Sequence, residues 1–257
     1  MDGRVPDGAR ELTTGQANCV WYVEAPVPYV LKHYGDPARA ANEAAALALL
    51  DEHGVPAPKL LGADPGAIPA WTAQSAVHAE PVPTVQLLHE LADPLAAVHR
   101  IPGPHAGRLA GARCHRTWRD YLHDRLDTYT TAAPDLTRIA AVLRYELDAL
   151  AVDIEPRLLH HDVQPGHLVR PHGGTPLLLD WELAAFGDPL SDLARLAVRL
   201  DHTCLTDVLR LARRPTPGDT RRIHLYWRIH QFANAALGTD PDVRQRGLAH
   251  LLRGTSR

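Results

Sequence analysis

The stretch LLHHDVQPGHLVRPHGGTPLLLD, Leu158 to Asp180, decides how this chain is read. Two apolar-led runs, Leu168-Val169-Arg170 and Leu177-Leu178-Leu179, flank the turn formers Pro171-His172-Gly173-Gly174. The pattern predicts a β-hairpin. In an antiparallel pair the residue entering the first strand faces the one leaving the second, so His167 meets Asp180 at the hairpin's open end. Asp162 lies five residues before His167, in a segment that Pro165 and Gly166 turn sharply. Asp162, His167 and Asp180 are thereby aimed at one point, and three converging polar groups make a candidate site.

HHDVQPGHLV followed by LLLDWE resembles the paired signature of the aminoglycoside phosphotransferase and choline kinase-like family, which itself resembles the protein kinases. The family pattern is His-x-Asp-x-x-x-x-Asn, then an Asp after a hydrophobic strand. Its first Asp orients or deprotonates the acceptor hydroxyl, and its Asn and second Asp hold metal. The resemblance implies Asp162 as the catalytic base and Asp180 as a metal ligand. It places His167 as the second metal ligand, in the slot where most members carry Asn. Mg²⁺ prefers oxygen whereas imidazole suits softer transition metals, so the donor type departs from the pattern. Macrolide phosphotransferases are similar in carrying His there. His160 takes the first signature position, which is structural, and His161 stands where Gly is common.

The fold the resemblance implies is α+β: a bilobal, protein-kinase-like chain with a small N-terminal antiparallel sheet plus one helix, and a larger, mainly helical C-terminal lobe. Leu12–Gly15 and Asn18–Glu24 read as strands around a turn, with Thr13 to Asn18 lying where a phosphate-covering loop would be. Tyr29 to Tyr34 resembles the third strand, whose lysine contacts the α- and β-phosphates, and Lys32 is that lysine. Asp36 to His53 predicts a helix, opened by Asp36-Pro37 and closed at Gly54. Glu43 shares a face with Ala40, Leu47 and Leu50 and so points partly inward, where a carboxylate wants a cation. Lys32 supplies it. Val55 to Leu61 reads as an edge strand because of its prolines, and Trp71 to Val77 as the last strand of the lobe. His78 to Pro81 is then the hinge, so residues 1–80 form the nucleotide-binding lobe and 81–257 the lobe carrying the catalytic loop and acceptor site.

Helices are expected over Val85 to His99, Thr117 to Tyr129, Leu136 to Ala151 and Thr220 to Leu237. Asp188 and Asp192 read as carboxylates at a helix start. The aromatic stripe at Tyr226, Trp227 and Phe232 reads as core before pocket. The chain has 257 residues, a formal net charge of -3 and 16 histidines, with a sequence pI near 6.6. Those values give no basic field for nucleic acid, and no apolar run is long enough to span a membrane. Cys19, Cys114 and Cys204 are too few and scattered for a disulfide framework or zinc site. No HExxH spacing accompanies the histidines.

Together these features predict a cytoplasmic monomer or weak dimer that uses ATP or GTP with Mg²⁺ or Mn²⁺. It would transfer the γ-phosphate to a hydroxyl of a small molecule, with an antibiotic as the leading acceptor class. The alternatives are a metabolic kinase for a sugar or amino alcohol, and a pseudokinase that binds without turnover.

Overall fold

The computed structural model describes residues 2–14, 18–150, 154–201, 205–212 and 215–254. They divide into two compact units. The first runs from the N-terminus to Ile101 and adds Arg108–Cys114 and His160–Ala185; the second holds Pro102–Gly107, His115–Leu159 and the chain from Phe186 onward.

The first unit is built on a five-stranded antiparallel sheet: β1 (Arg10–Thr14), β2 (Asn18–Val23), β3 (Tyr29–Tyr34), β4 (Leu60–Asp64) and β5 (Ala70–Ser75), in the order β1-β2-β3-β5-β4. The third strand is central. Lys32 pairs with Val20 on one side and Thr72 on the other, so its backbone is fixed by ladders from both neighbours. Side chains alternate along a strand. Leu31 joins Val23, Trp71 and Ala73 in an apolar cluster on one face, while Lys32 and Tyr34 leave from the other.

That second face is covered by α1 (Pro37–Glu52). Asp36 caps the helix by accepting from the Ala38 amide at 3.0 Å, Pro37 occupies the first turn, and Gly54 follows the end at φ +65°. The face turned inward carries Ala40, Asn42, Glu43, Ala46, Leu47 and Leu50. One expected element moved: Val55 to Lys59 is irregular, and the strand begins only at Leu60. Pro56 and Pro58 have no N–H to give to a ladder, which is why pairing waits for the residues after them. The strand does lie at the sheet edge. The segment expected as the hinge contains a short strand, β6 (Ala79–Pro81), which pairs with Leu168–Pro171. The helix expected near Val85 is α2 (Leu87–Val98), preceded by a single 3₁₀ turn.

The hairpin formed as predicted, with Leu168 opposite Leu178 and Val169 opposite Leu177. Its turn is closed by the Gly174 amide donating to the Pro171 carbonyl at 3.0 Å, with Gly173 at φ +69°, a conformation glycine adopts without a Cβ clash.

The second unit is mainly helical. Its longest helix, Pro217–Leu237, begins earlier than its apolar pattern suggested, because Thr216 and Asp219 form a capping box. It packs against Trp118–Ala132, Leu190–Arg199 and Pro241–Gly254. Tyr226 and Phe232 are fully buried, and the Tyr226 hydroxyl donates to Asp188 at 2.9 Å, so these aromatics are core. Asp188 also accepts from the Leu190 amide at 3.0 Å, as a helix cap does. The expected helix to Ala151 is seen over Thr137–Ala149; Ala151 and Cys204 lie outside the described residues, as do residues 15–17 of the Thr13–Asn18 segment expected to cover phosphates. Cys19 and Cys114 are free thiols. Among the described residues, no helix is long and apolar enough to cross a membrane.

Candidate active site

All five residues singled out from the sequence fall in the first unit and form one chain of contacts. Lys32 Nζ lies 2.7 Å from Glu43 Oε1 and 3.0 Å from Asp180 Oδ1. Asp180 Oδ2 lies 3.5 Å from His167 Nε2, and His167 Nδ1 lies 3.9 Å from Asp162 Oδ2. Each link follows from local structure. Lys32 is held by the central strand and Glu43 by the helix across it, while His167 and Asp180 occupy the two legs of the hairpin. There the Leu179 amide donates to the His167 carbonyl at 2.8 Å.

Glu43 is completely buried and is used several times over. Besides Lys32, it accepts from the Tyr34 hydroxyl and from the Trp181 amide at 3.1 Å. Burial works against the Lys32 charge, but the Glu43 and Asp180 carboxylates outweigh it and raise its pKa above the ordinary lysine range. Burial likewise opposes ionisation of Asp180. Lys32 and His167 more than offset that, so its pKa falls and it is a carboxylate at neutral pH. Tyr34 is held neutral, first by burial and then by the Glu43 charge.

His160 and His167 have assignable tautomers. The His160 Nε2–H donates to the Leu179 carbonyl at 2.8 Å, and its Nδ1 accepts from the Asp162 amide at 3.2 Å, so His160 ties the Asp162 loop to the strand leading to Asp180. His167 Nδ1 donates to the Asp162 carbonyl at 3.0 Å, which leaves the lone pair on Nε2, toward Asp180. Burial lowers the His167 pKa against the pull of Asp180, so the ring is the neutral, ligating form. Gln164 Nε2 sits 2.7 Å from that Nε2 and 3.4 Å from Asp162 Oδ2.

Two site residues adopt left-handed backbone, His161 at φ +61° and Asp180 at φ +66°. For non-glycine residues this costs on the order of 1–3 kcal/mol each and persists only where surrounding bonds over-determine it. At Asp180 the two flanking amides do so, Leu179 bonding to His167 and Trp181 to Glu43.

The residues present suit a divalent cation. A lone pair on imidazole and a carboxylate oxygen 3.5 Å apart are close to the roughly 3 Å between neighbouring ligands of an octahedral Mg²⁺. Among the described residues no group of three or more His, Cys, Asp or Glu is arranged to hold an ion alone.

Sequence reasoning did not single out Asn42, Arg39, Glu182 or Gln164. Asn42, 1 % exposed, donates to the carbonyls of Glu182 and Ala184 at 3.0 and 2.9 Å and accepts from the Leu109 amide at 2.9 Å. It pins the segment after Asp180 to α1. Arg39 holds Glu182 at 2.7 Å, and Glu182 also accepts from Asn18 at the start of β2. Burial and then the neighbouring Asp180 charge raise the Glu182 pKa. The signal available for Asn42 was its place beside Glu43 on the apolar face of α1, where a polar residue needs partners. Glu182 and Gln164 stood within the signature segments but carried no pattern of their own.

The fold is similar to that of a thermostable mutant of aminoglycoside phosphotransferase APH(4)-Ia, at 18% identity and TM-score 0.72 over 98% of this chain and 96% of that one. A ternary complex of the same enzyme with AMP-PNP and hygromycin B is similar at 17% identity and TM-score 0.71, covering 98% and 95%. Choline kinase LicA from Streptococcus pneumoniae is similar at 17% identity and TM-score 0.71, covering 96% and 94%. No protein of curated function matches in sequence. The fold is therefore kinase-like, and because the sequence model of the phosphotransferase enzyme family matches residues 8–226, the chain belongs to that family and is a small-molecule phosphotransferase.

Proposed function

We propose that this phosphotransferase moves the γ-phosphoryl group of ATP or GTP to a hydroxyl of an antibiotic, as a resistance or self-protection enzyme. The observation that carries the chemistry is the continuous contact chain Glu43, Lys32, Asp180, His167, Asp162. In this reading residues 1–80 are the nucleotide-binding lobe and 81–257 carry the catalytic loop and acceptor site. Glu43 fixes Lys32, whose ammonium donates to the non-transferred phosphates. Asp180 and His167 Nε2 would hold Mg²⁺ or Mn²⁺, which when bound neutralises charge on the phosphates. Asp162 aligns the acceptor hydroxyl and takes its proton as the new O–P bond forms and the bond to the leaving ADP or GDP breaks. Because the transition state is loose, positioning by Asp162 matters more than its basicity.

The antibiotic acceptor rests on the similarity to an enzyme captured with hygromycin B. A metabolic alcohol acceptor is the second reading, favoured by the similarity to a choline kinase. A nucleotide-consumption assay across aminoglycosides, macrolides, sugars and amino alcohols separates them. Turnover confined to antibiotics supports the proposal, and turnover confined to metabolic alcohols overturns it in favour of the second. Absence of turnover with every acceptor, despite nucleotide binding, contradicts both acceptor readings.

A further inference from the structure

Glu182 stands two residues past Asp180 and is 8 % exposed. Its two carboxylate oxygens are taken by different elements. Oε1 accepts from Arg39 Nη1 of α1 at 2.7 Å, and Oε2 accepts from Asn18 Nδ2 at the head of β2. The backbone carbonyl of the same residue accepts from Asn42 of α1 at 3.0 Å. A carboxylate strengthens the hydrogen bonds it accepts. Asn18 has no substitute for this one, because its Oδ1 is buried without a hydrogen-bond partner among the described residues. Donors on both oxygens also set Glu182 apart from Asp180, whose Oδ2 faces the His167 ring.

Asn18 matters because of where β2 puts it. Asn18 pairs with Tyr34 and Val20 with Lys32, so Asn18 lies two residues along the strand from the partner of Lys32, on the same face. Through Asn18, Glu182 ties the sheet that carries Lys32 to the chain that leaves Asp180. The direct tie between those two, from Lys32 Nζ to Asp180 Oδ1, spans 3.0 Å. That is hydrogen-bond contact, with no room for a phosphate oxygen or a cation between the atoms. In the nucleotide-site reading above, on which this inference rests, Lys32 turns to the phosphates and Asp180 to the cation, so the pair parts as nucleotide enters. Glu43, Asn42 and Arg39 then hold the Asp180 end to α1, and the bond from Asn18 to Glu182 holds it to the sheet.

We propose that Glu182 is a positioning residue of the nucleotide site, a clasp that keeps β2, and with it Lys32, aligned with Asp180 once nucleotide separates their ion pair. It acts through Asn18 and Arg39 and not as a metal ligand.

The probe is ADP, titrated calorimetrically into the parent, Asn18→Ala, Glu182→Gln and the double variant, with Mg²⁺ and again with EDTA. Each single variant should weaken ADP about three- to thirtyfold, the range for residues that couple to a site without touching its ligand. The factor should be the same with and without Mg²⁺. In the double variant the loss should fall short of the product of the two, because both changes remove one contact. Gly187→Ala, which disturbs the Trp118 ring in the second unit, should leave ADP affinity within about twofold of the parent. Single variants that stay within about twofold, losses that multiply in the double variant, or an equal loss in Gly187→Ala overturn the clasp. A loss confined to the Mg²⁺ titrations makes Glu182 a metal ligand and overturns it as well. If Glu182→Gln does not fold, Asn18→Ala decides alone. A parent that binds no ADP overturns the nucleotide-site reading and the clasp with it, whereas unmoved variants of a parent that binds overturn the clasp alone.

Discussion

Exchanging Lys32 and Glu43 singly and together probes the electrostatic centre of the first unit. Lys32 is 7 % exposed and Glu43 fully buried, with 2.7 Å between the charged atoms. Two unit charges within 4 Å attract by about 4 kcal/mol or more at an effective dielectric near 20. Removing one partner of such a pair strands the other, which costs about 3–5 kcal/mol. Lys32→Met should reach that range, because among the described residues Glu43 keeps only the Tyr34 and Trp181 donors. Glu43→Gln should cost less, about 2–3 kcal/mol, because Lys32 still has the Asp180 carboxylate at 3.0 Å. The double variant strands neither charge on the other. It should be destabilised by about 3–5 kcal/mol instead of the sum of about 5–8 kcal/mol, a coupling energy of about 2–3 kcal/mol. Urea unfolding of the four proteins at one pH and salt concentration measures the cycle. Strict additivity, or single variants within about 0.5 kcal/mol of the parent, would refute the argument, since that is how surface substitutions behave.

Other consequences are equally direct. Asn42→Ala strands the Glu182 carbonyl and the Leu109 amide, while the Ala184 carbonyl keeps the Arg108 guanidinium; at about 1–3 kcal/mol for each unmet group it should cost at least about 2 kcal/mol in denaturant unfolding. Gly187→Ala would drive a Cβ into the fully buried Trp118 ring, and this overpacking should lower stability by about 1–3 kcal/mol. His167→Asn replaces the imidazole donor with oxygen, so the ratio of Mg²⁺- to Mn²⁺-supported turnover should rise in a steady-state assay. An unchanged ratio argues against His167 as a ligand.

The parts of this site legible in the sequence were those carried by short-range pattern. The hairpin followed from turn formers between apolar runs, and its register brought His167 to Asp180 without further information. Glu43 was found because helical periodicity put a carboxylate on an apolar face. What stayed hidden depends on contacts distant in sequence. Asn42 bonds to residues 140 and 142 positions away, and the Trp181 amide reaches Glu43 across 138; no local spacing encodes such pairs. The pairing of β6 with the hairpin was missed for the same reason, and β4 began later than expected because proline removes ladder donors. The left-handed backbone at Asp180 was illegible because it is imposed by bonds from both neighbouring amides.

The most direct test of the central assignment is the turnover number of Asp162→Asn, measured alongside its nucleotide dissociation constant. Asp162 touches the Gln164 amide and the His167 ring, whereas the proposed phosphate contact is the Lys32 ammonium held by Glu43, so the nucleotide end of the site should survive. The account predicts a fall in kcat of about 10²–10⁴, the usual contribution of a positioned acid–base group, with nucleotide affinity retained within a few-fold. Turnover at the parental rate in that variant would contradict it.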